Sequence, residues 1–355
     1  MARVKEAAAE ALTAVESSVA HLAGSAEDAV ITTTAAALAA PKKLARSSSS
    51  SSSLPGPAQF VLAVALSYGI STVGKLGVGY FSPGEWASIA RVPADNVEGG
   101  VVLGWKLLVL ALGWLGDFDG YDLASLALLS HGPATFLVSV FYDIRWVTAG
   151  AYLGVEVVSA ALPFLLLRRL DDKTNSEIIA DRSIQVLTSL QAGLVYSVVL
   201  FLAGRTFLSD VFVLHFEGIP TIKPAVEPAG IFAGKKGLAT GLLGLLMGLA
   251  ARRFIFAPVV TAPEGTVKDE ENERFDPASA SLGETIKWNL WGWKDKTKVS
   301  VVRTGVAVVA TAVGTYLDTA LGIKGVDGTG AGVYAGVWGL AVVLTGWVLT
   351  YVGSI

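Results

Sequence analysis

The chain of 355 residues combines 52% hydrophobic side chains with only 16% charged ones, and its mean hydropathy is +0.57. Because a water-soluble domain carries about 25% charged residues, this composition excludes a globular protein surrounded by water. The net charge of −3 excludes a nucleic-acid binder with an overall basic surface. The absence of cysteine excludes disulfides, thiolate nucleophiles and Cys-ligated metal sites. We therefore predict an all-α, polytopic membrane protein with about eight transmembrane helices.

The N-terminal region differs in composition from the rest of the chain. Val4, Ala8 and Leu12 recur at helical spacing, but this apolar face is too small for firm membrane insertion. The serine run Ser47–Ser53 then has the composition of a flexible tether. Residues 1–57 are therefore predicted to form an amphipathic, disordered cytoplasmic tail, and residues 58–353 a transmembrane helical bundle.

Eight apolar runs approach the roughly 20 residues that a spanning helix needs. They lie near residues 60–81, 101–115, 123–142, 147–167, 184–204, 237–251, 299–317 and 329–353. The run 237–251 is the doubtful one, because it is short and has two basic residues at each end. When this run is counted as a span, most of the Lys and Arg residues of the tail and the connecting segments lie on one side of the membrane. Positive charge marks the cytoplasmic side, so both termini are predicted to be cytoplasmic.

Two connecting segments have patterns of their own. In the cytoplasmic loop 252–298, Ser281 and Glu284 have the spacing of a capping box before several Trp residues, which predicts an interfacial helix near 282–293. The segment 206–230 contains Pro220, Pro224 and Pro228, which forbid a continuous helix. An extended structure on the outer face and a re-entrant piece remain alternatives for it.

Four ionisable side chains fall inside the predicted spans: Lys75, Lys106, His131 and Glu156. Such groups are costly in a bilayer and mark candidate functional sites. His131 and Glu156 lie at nearly one depth on adjacent antiparallel helices, so we predict a mid-membrane pair able to relay a proton. A hydrogen-bonded pair that only fixes helix packing is the alternative. Lys75 and Lys106 either form an anion-attracting vestibule or extend their ammonium groups to the outer headgroups.

The acidic run around Asp117, Asp119 and Asp122 is a weaker candidate. An Asp-x-Asp pair is typical of some metal sites, but Leu128 stands where a calcium-binding loop needs Glu. Asp122 as the N-cap of the third span explains one carboxylate without a ligand. No metal or other cofactor is expected.

The glycines Gly237, Gly241, Gly244 and Gly248 form one helical stripe that would permit close helix–helix association. No catalytic motif appears, so we do not expect an enzyme. A transporter or channel for a small solute or ion is the first functional hypothesis, and a non-catalytic membrane scaffold or organelle-organising protein is the alternative. Short spans favour a thin intracellular membrane, such as the endoplasmic reticulum. The bilayer and a small substrate are the expected partners, with no nucleic acid.

Overall fold

The computed structural model describes residues 55–167, 182–220, 222, 224, 234–262, 274–275 and 280–353. Apart from its last three residues, the predicted tail 1–57 lies outside the described residues. The described chain is helical throughout its regular elements. The helices are α1 (Gly56–Phe81), α2 (Glu85–Ile89), α3 (Asn96–Leu115), α4 (Gly120–Val140), α5 (Trp146–Leu167), α6 (Arg182–Ala203), α7 (Ser209–His215), α8 (Gly234–Ala251), α9 (Ala257–Thr261), α10 (Leu282–Trp291), α11 (Asp295–Ala320) and α12 (Gly328–Gly353).

Eight helical segments of the described chain are long and apolar enough to cross a membrane. The prediction of an all-α polytopic membrane protein with about eight spans is thus confirmed. The shortest of the eight has 20 residues, which corresponds to about 30 Å of helix. We call the membrane side where α1 begins the near side, and the side where it ends the far side.

The fifth span is longer than its predicted range 184–204. A π-helical turn at Gly204–Leu208 connects α6 to α7 without a break, and the helical segment ends at His215. The expectation of an extended or re-entrant structure is therefore wrong for 206–215. Prolines can interrupt this helix only from Pro220 onward. Pro220 is the first proline after the fourth span, and every residue between the two keeps its backbone N–H donor.

The sixth span also continues beyond its predicted end at residue 251. The π-helical turn Arg252–Phe256 joins α8 to α9, and the helix ends at Thr261. The loop predicted for 252–298 therefore begins ten residues too early. The two arginines do not end the helix because both are partly buried among the buried side chains of the same turn, and Arg253 has an acidic partner.

Backbone contacts on the far side support eight crossings. Phe216, just after α7, pairs with Val326 in the α11–α12 connection, and Ala90 pairs with Ile323 of the same connection. Phe216 and Val326 lie on one side only if an even number of spans separates them. Two spans do so, the α8–α9 helix and α11, so the doubtful sixth segment belongs among the crossings.

Helix α4 lies at the centre of the bundle and packs against α5, α8 and α11. It runs without interruption through Pro133. The α6–α8 contact depends on glycine, because a Cβ atom on Gly248 would lie 2.2 Å from the carbonyl oxygen of Ser189. At least this member of the predicted stripe thus packs within the chain. Helices α1 and α3 are the least buried spans and expose many apolar side chains, as lipid-facing helices do.

Helix α10 corresponds to the predicted interfacial helix near 282–293 and ends two residues earlier, at Trp291. The predicted capping box is present, because Ser281 accepts from the Glu284 backbone while the Glu284 side chain accepts from the Ser281 backbone. The Ser281 backbone N–H and hydroxyl both donate to the Glu284 carboxylate and hold its pKa below the usual value. The position of α10 on the membrane surface stays a prediction.

Candidate intramembrane site

Five ionisable side chains from five spanning helices meet inside the bundle. We call this set the charge cluster, and its members are Lys75 on α1, Lys106 on α3, His131 on α4, Glu156 on α5 and Asp318 on α11. Four of them are the residues that the sequence singles out. His131 and Glu156 are both members of the charge cluster, but they are not hydrogen-bonded to each other and each has different partners.

Glu156 binds two ammonium groups at once. Its Oε1 atom forms an ion pair with Lys75, and its Oε2 atom lies 3.0 Å from Nζ of Lys106. Ser71 donates a longer hydrogen bond of 3.4 Å to Oε1, and Lys106 also donates to Ser159 at 3.0 Å. Snorkelling to the outer headgroups therefore does not describe either lysine, because both ammonium groups turn inward to one carboxylate.

A small residue places α1 against α5 beside this ion pair. A Cβ atom on Gly74 would lie 2.7 Å from a methyl group of Val155. Gly74 and Val155 immediately precede Lys75 and Glu156 in the chain. The absence of a side chain at Gly74 therefore brings the two charged groups within reach of each other.

His131 bonds to Asp318, with Nδ1 and Oδ2 at 2.6 Å. A similar close approach lies nearby, because a Cβ atom on Gly314, one turn before Asp318, would collide with the Ser130 hydroxyl. An ionised Asp318 can only accept, so the hydrogen of this bond lies on Nδ1 and Nε2 is the nitrogen at which a further proton can bind. The charges of Glu156 and Lys75 also act on the imidazole.

Asp318 is the residue that the sequence analysis missed. The predicted span 299–317 ends one residue before it, since a search for apolar runs stops at a charge. Helix α11 continues to Ala320 and carries Asp318 into the bundle. The four-residue spacing from Gly314, which places both residues on one helical face, is the signal that points to it.

The charge cluster is not sealed within protein. The exposed fraction of the side chains rises from 12% for Glu156 to 49% for Lys75, with His131 and Asp318 between these values. A dry packing contact would bury all of them. The arrangement therefore leaves more than a quarter of the His131 side chain uncovered by the described protein, although His131 lies on the central helix α4.

A second set of charged residues lies toward the near side. Asp119 forms a 3.0 Å ion pair with Arg253, and Asp122 forms a 2.9 Å pair with Arg303. The guanidinium of Arg303 lies over the rings of Phe118 and Phe254, with its central carbon 4.6 Å and 4.9 Å from their centroids. Arg303 therefore has a definite structural role in joining α11 to α4, which its position near the start of the seventh span does not reveal.

These ion pairs change the interpretation of the acidic run. Asp119, and not Asp122, is the N-cap of α4, because its side chain accepts from the Asp122 backbone. Asp117 lies in the left-handed region of backbone conformation, with φ of 53°. Among the described residues, no group of three or more acidic or histidine side chains has a geometry that could hold a metal ion.

An apolar cavity of the bundle lies elsewhere, between α6, α8 and α12. It has a volume of about 230 Å³ and an almost entirely apolar lining that includes Tyr196, Met247 and Trp338. No member of the charge cluster lines it. It is therefore a separate feature from the intramembrane site.

Comparison of the chain with protein-family models, with curated proteins and with solved structures finds no match. A functional assignment must accordingly be argued from the geometry of the described residues.

Proposed function

We propose that this integral membrane protein is a transporter that moves a small solute or ion together with a proton, using the charge cluster as its binding site. The observation that carries the proposal is the meeting of five ionisable side chains from five spanning helices in a partly open site. Within it, the His131 imidazole is a group that can bind and release a proton.

The energetic cost of such a site supports a functional role. A charged residue at the centre of a spanning helix costs about 2.5–3.5 kcal/mol during membrane insertion. Lys106, His131 and Glu156 all lie near the middle of their helices. Helix packing alone does not require these charges, since small residues also form close helix contacts, such as that of Gly248 with α6.

The alternative function, a non-catalytic membrane scaffold, predicts a different environment for the same residues. A scaffold has no need for accessible charges, and its polar groups would be enclosed in dry helix contacts. His131 and Asp318 each keep more than a quarter of their side-chain surface uncovered by the chain, although α4 is the central helix, and this favours the transporter.

The proposal is tested by proton entry into vesicles that contain the purified protein and a trapped pH-sensitive dye. Proton entry is measured under an imposed membrane potential and under inward gradients of defined inorganic ions, amino acids and sugars. We expect faster entry than in protein-free vesicles under at least one condition. His131→Gln and Glu156→Gln should reduce it to the protein-free rate.

His215→Gln is a matched control for His131→Gln. His215 also bonds an aspartate through Nδ1, at 2.7 Å from Asp327, but it lies at the far-side end of α7, outside the charge cluster. This variant should retain proton entry. Equal rates for wild type and His131→Gln, or no proton entry in the wild type under any condition, would contradict the transporter and favour the scaffold.

The membrane in which the protein resides stays a prediction. The endoplasmic reticulum is expected because the predicted spans are short, but two of these spans are longer in the structure than predicted. The predicted run 101–115 belongs to the 20-residue helix α3, and the sixth span reaches 22 residues. Immunolocalisation of the tagged chain would decide the compartment.

A further inference from the structure

The charge cluster contains two basic and two acidic side chains in addition to its imidazole. With His131 neutral, the charges of Lys75 and Lys106 balance those of Glu156 and Asp318. A proton that binds at Nε2 of His131 leaves the cluster with one uncompensated positive charge. Since an uncompensated charge inside a bilayer is unfavourable, the protonated cluster favours the entry of one negative charge.

We propose that the charge cluster binds a small monovalent anion together with the proton on His131, and that the protein carries both in electroneutral symport. This inference rests on the proposed function and names the substrate class of the same site. A divalent anion would leave a net negative charge, and a cation would add to the positive one. A monovalent anion alone restores neutrality.

The lysines supply the chemistry that recognises an anion. Two ammonium groups share the single carboxylate of Glu156, and each ammonium has three hydrogens to donate. Lys106 uses two of its donors on Glu156 and Ser159. Among the described residues, Lys75 has Glu156 as its ion-pair partner, so two of its three hydrogens remain for an anion.

The proton has a defined position in this scheme. Asp318 accepts from Nδ1 and keeps that hydrogen in place, so the transported proton binds and leaves at Nε2. The charged groups that act on His131 are Asp318 on α11, Glu156 on α5 and Lys75 on α1, and Lys106 on α3 completes the cluster. Release of the anion removes the charge that stabilises the imidazolium, so proton and anion leave together.

The experiment uses the purified full-length protein in vesicles with a trapped pH-sensitive dye, and potassium with valinomycin sets the membrane potential. Inward gradients of chloride, nitrate or lactate are applied at about pH 6, where a free imidazole is largely protonated. We expect at least one of these anions to acidify the vesicle interior, at a rate that does not change with the imposed potential. His131→Gln should abolish this acidification, and His215→Gln should leave it unchanged.

Lys75 provides a second, independent readout. Lys75→Gln should raise the half-saturating anion concentration about tenfold, since a hydrogen bond to a charged group contributes about 1.5 kcal/mol or more. Lys75→Arg keeps the positive charge and should restore much of the affinity. If the loss of affinity came only from defective folding, Lys75→Arg would not be expected to restore what Lys75→Gln loses.

The outcomes separate the two proposals. If the wild type moves protons under an imposed potential but none of the three anions alters the rate, electroneutral anion symport is wrong and the proposed function stands. If the wild type moves no protons with any driving force, both are wrong. Acidification that requires an anion and grows with the potential would also overturn electroneutrality.

Discussion

The Nδ1 atom of His131 lies 2.6 Å from Oδ2 of Asp318, although 187 positions separate the two residues in the chain. This bond joins the central helix α4 to the far-side end of α11 and fixes which imidazole nitrogen carries the hydrogen. His131 does not pair with Glu156, which is nearer to it in the chain. The two carboxylate oxygens of Glu156 already bind lysines.

Removal of the Asp318 charge should destabilise the bundle. In Asp318→Asn, the Nδ1–H of His131 loses a charged acceptor, which should cost about 2 kcal/mol of unfolding free energy. Thermal unfolding in detergent, followed by tryptophan fluorescence, measures the effect. Asp327→Asn is the control, since it weakens the equivalent bond to His215 at an exposed site and should lower the midpoint less. Equal losses in the two variants would contradict a special role for the intramembrane pair.

The close contact of α6 with α8 should be sensitive to a single methyl group. Gly248→Ala places a Cβ atom against the Ser189 carbonyl, so the helices must separate, at a cost of about 1–3 kcal/mol. Gly241→Ala on the same helix has open space around its Cβ and should be neutral or slightly stabilising. Thermal unfolding of both variants checks this. The contact is wrongly described if Gly241→Ala is the more damaging change.

The Asp122–Arg303 pair should show strong energetic coupling. Both side chains are largely buried, so loss of either partner leaves the other without compensation. A double-mutant cycle of Asp122→Asn with Arg303→Gln should give a coupling of about 1–3 kcal/mol. The same cycle for Glu85 and Arg145, whose arginine is mostly exposed, should give a smaller value. Additive effects of the two substitutions at Asp122 and Arg303 would show that the pair contributes little.

The stability contributed by Asp327 should depend on pH. The Gly330 backbone N–H, which donates to the carboxylate at 2.7 Å, and the His215 side chain hold the pKa of Asp327 below its usual value. The contribution is therefore complete above the usual aspartate pKa of about 3.9 and disappears as the pH falls through the lower folded value. The unfolding midpoints of wild type and Asp327→Asn should differ near neutral pH and converge in strong acid. A difference that grows on acidification would reverse the expected sign.

The orientation in the membrane can be tested with introduced cysteines, because the chain has none of its own. Val92 lies on the far side and Leu282 in the segment predicted to face the cytoplasm, and both side chains are well exposed. A membrane-impermeant maleimide added to intact cells that carry the protein in the plasma membrane should label Val92→Cys. It should label Leu282→Cys only after permeabilisation. The reverse pattern would place both termini outside.

Much of this architecture could be predicted from local sequence. Apolar runs of sufficient length identify spanning helices, because the bilayer offers no partner for free backbone groups. The same rule failed at particular ends. It stopped the sixth span at Arg252 and the seventh before Asp318, since a hydropathy criterion treats every charge as facing water. Both helices continue because the folded bundle partly buries these charges and supplies partners, Asp119 for Arg253 and His131 for Asp318.

The sequence by itself determined the solvent of this protein, its helical class and four members of the charge cluster, since these follow from composition and from position along a helix. Only the tertiary structure decided the partners. The depth of a residue in the membrane can be counted along the chain. The direction in which its side chain points depends on how the helices are rotated and how closely they approach each other. Close contacts such as those of Gly74 and Gly314 set that rotation, and they join Glu156 to the lysines and His131 to Asp318.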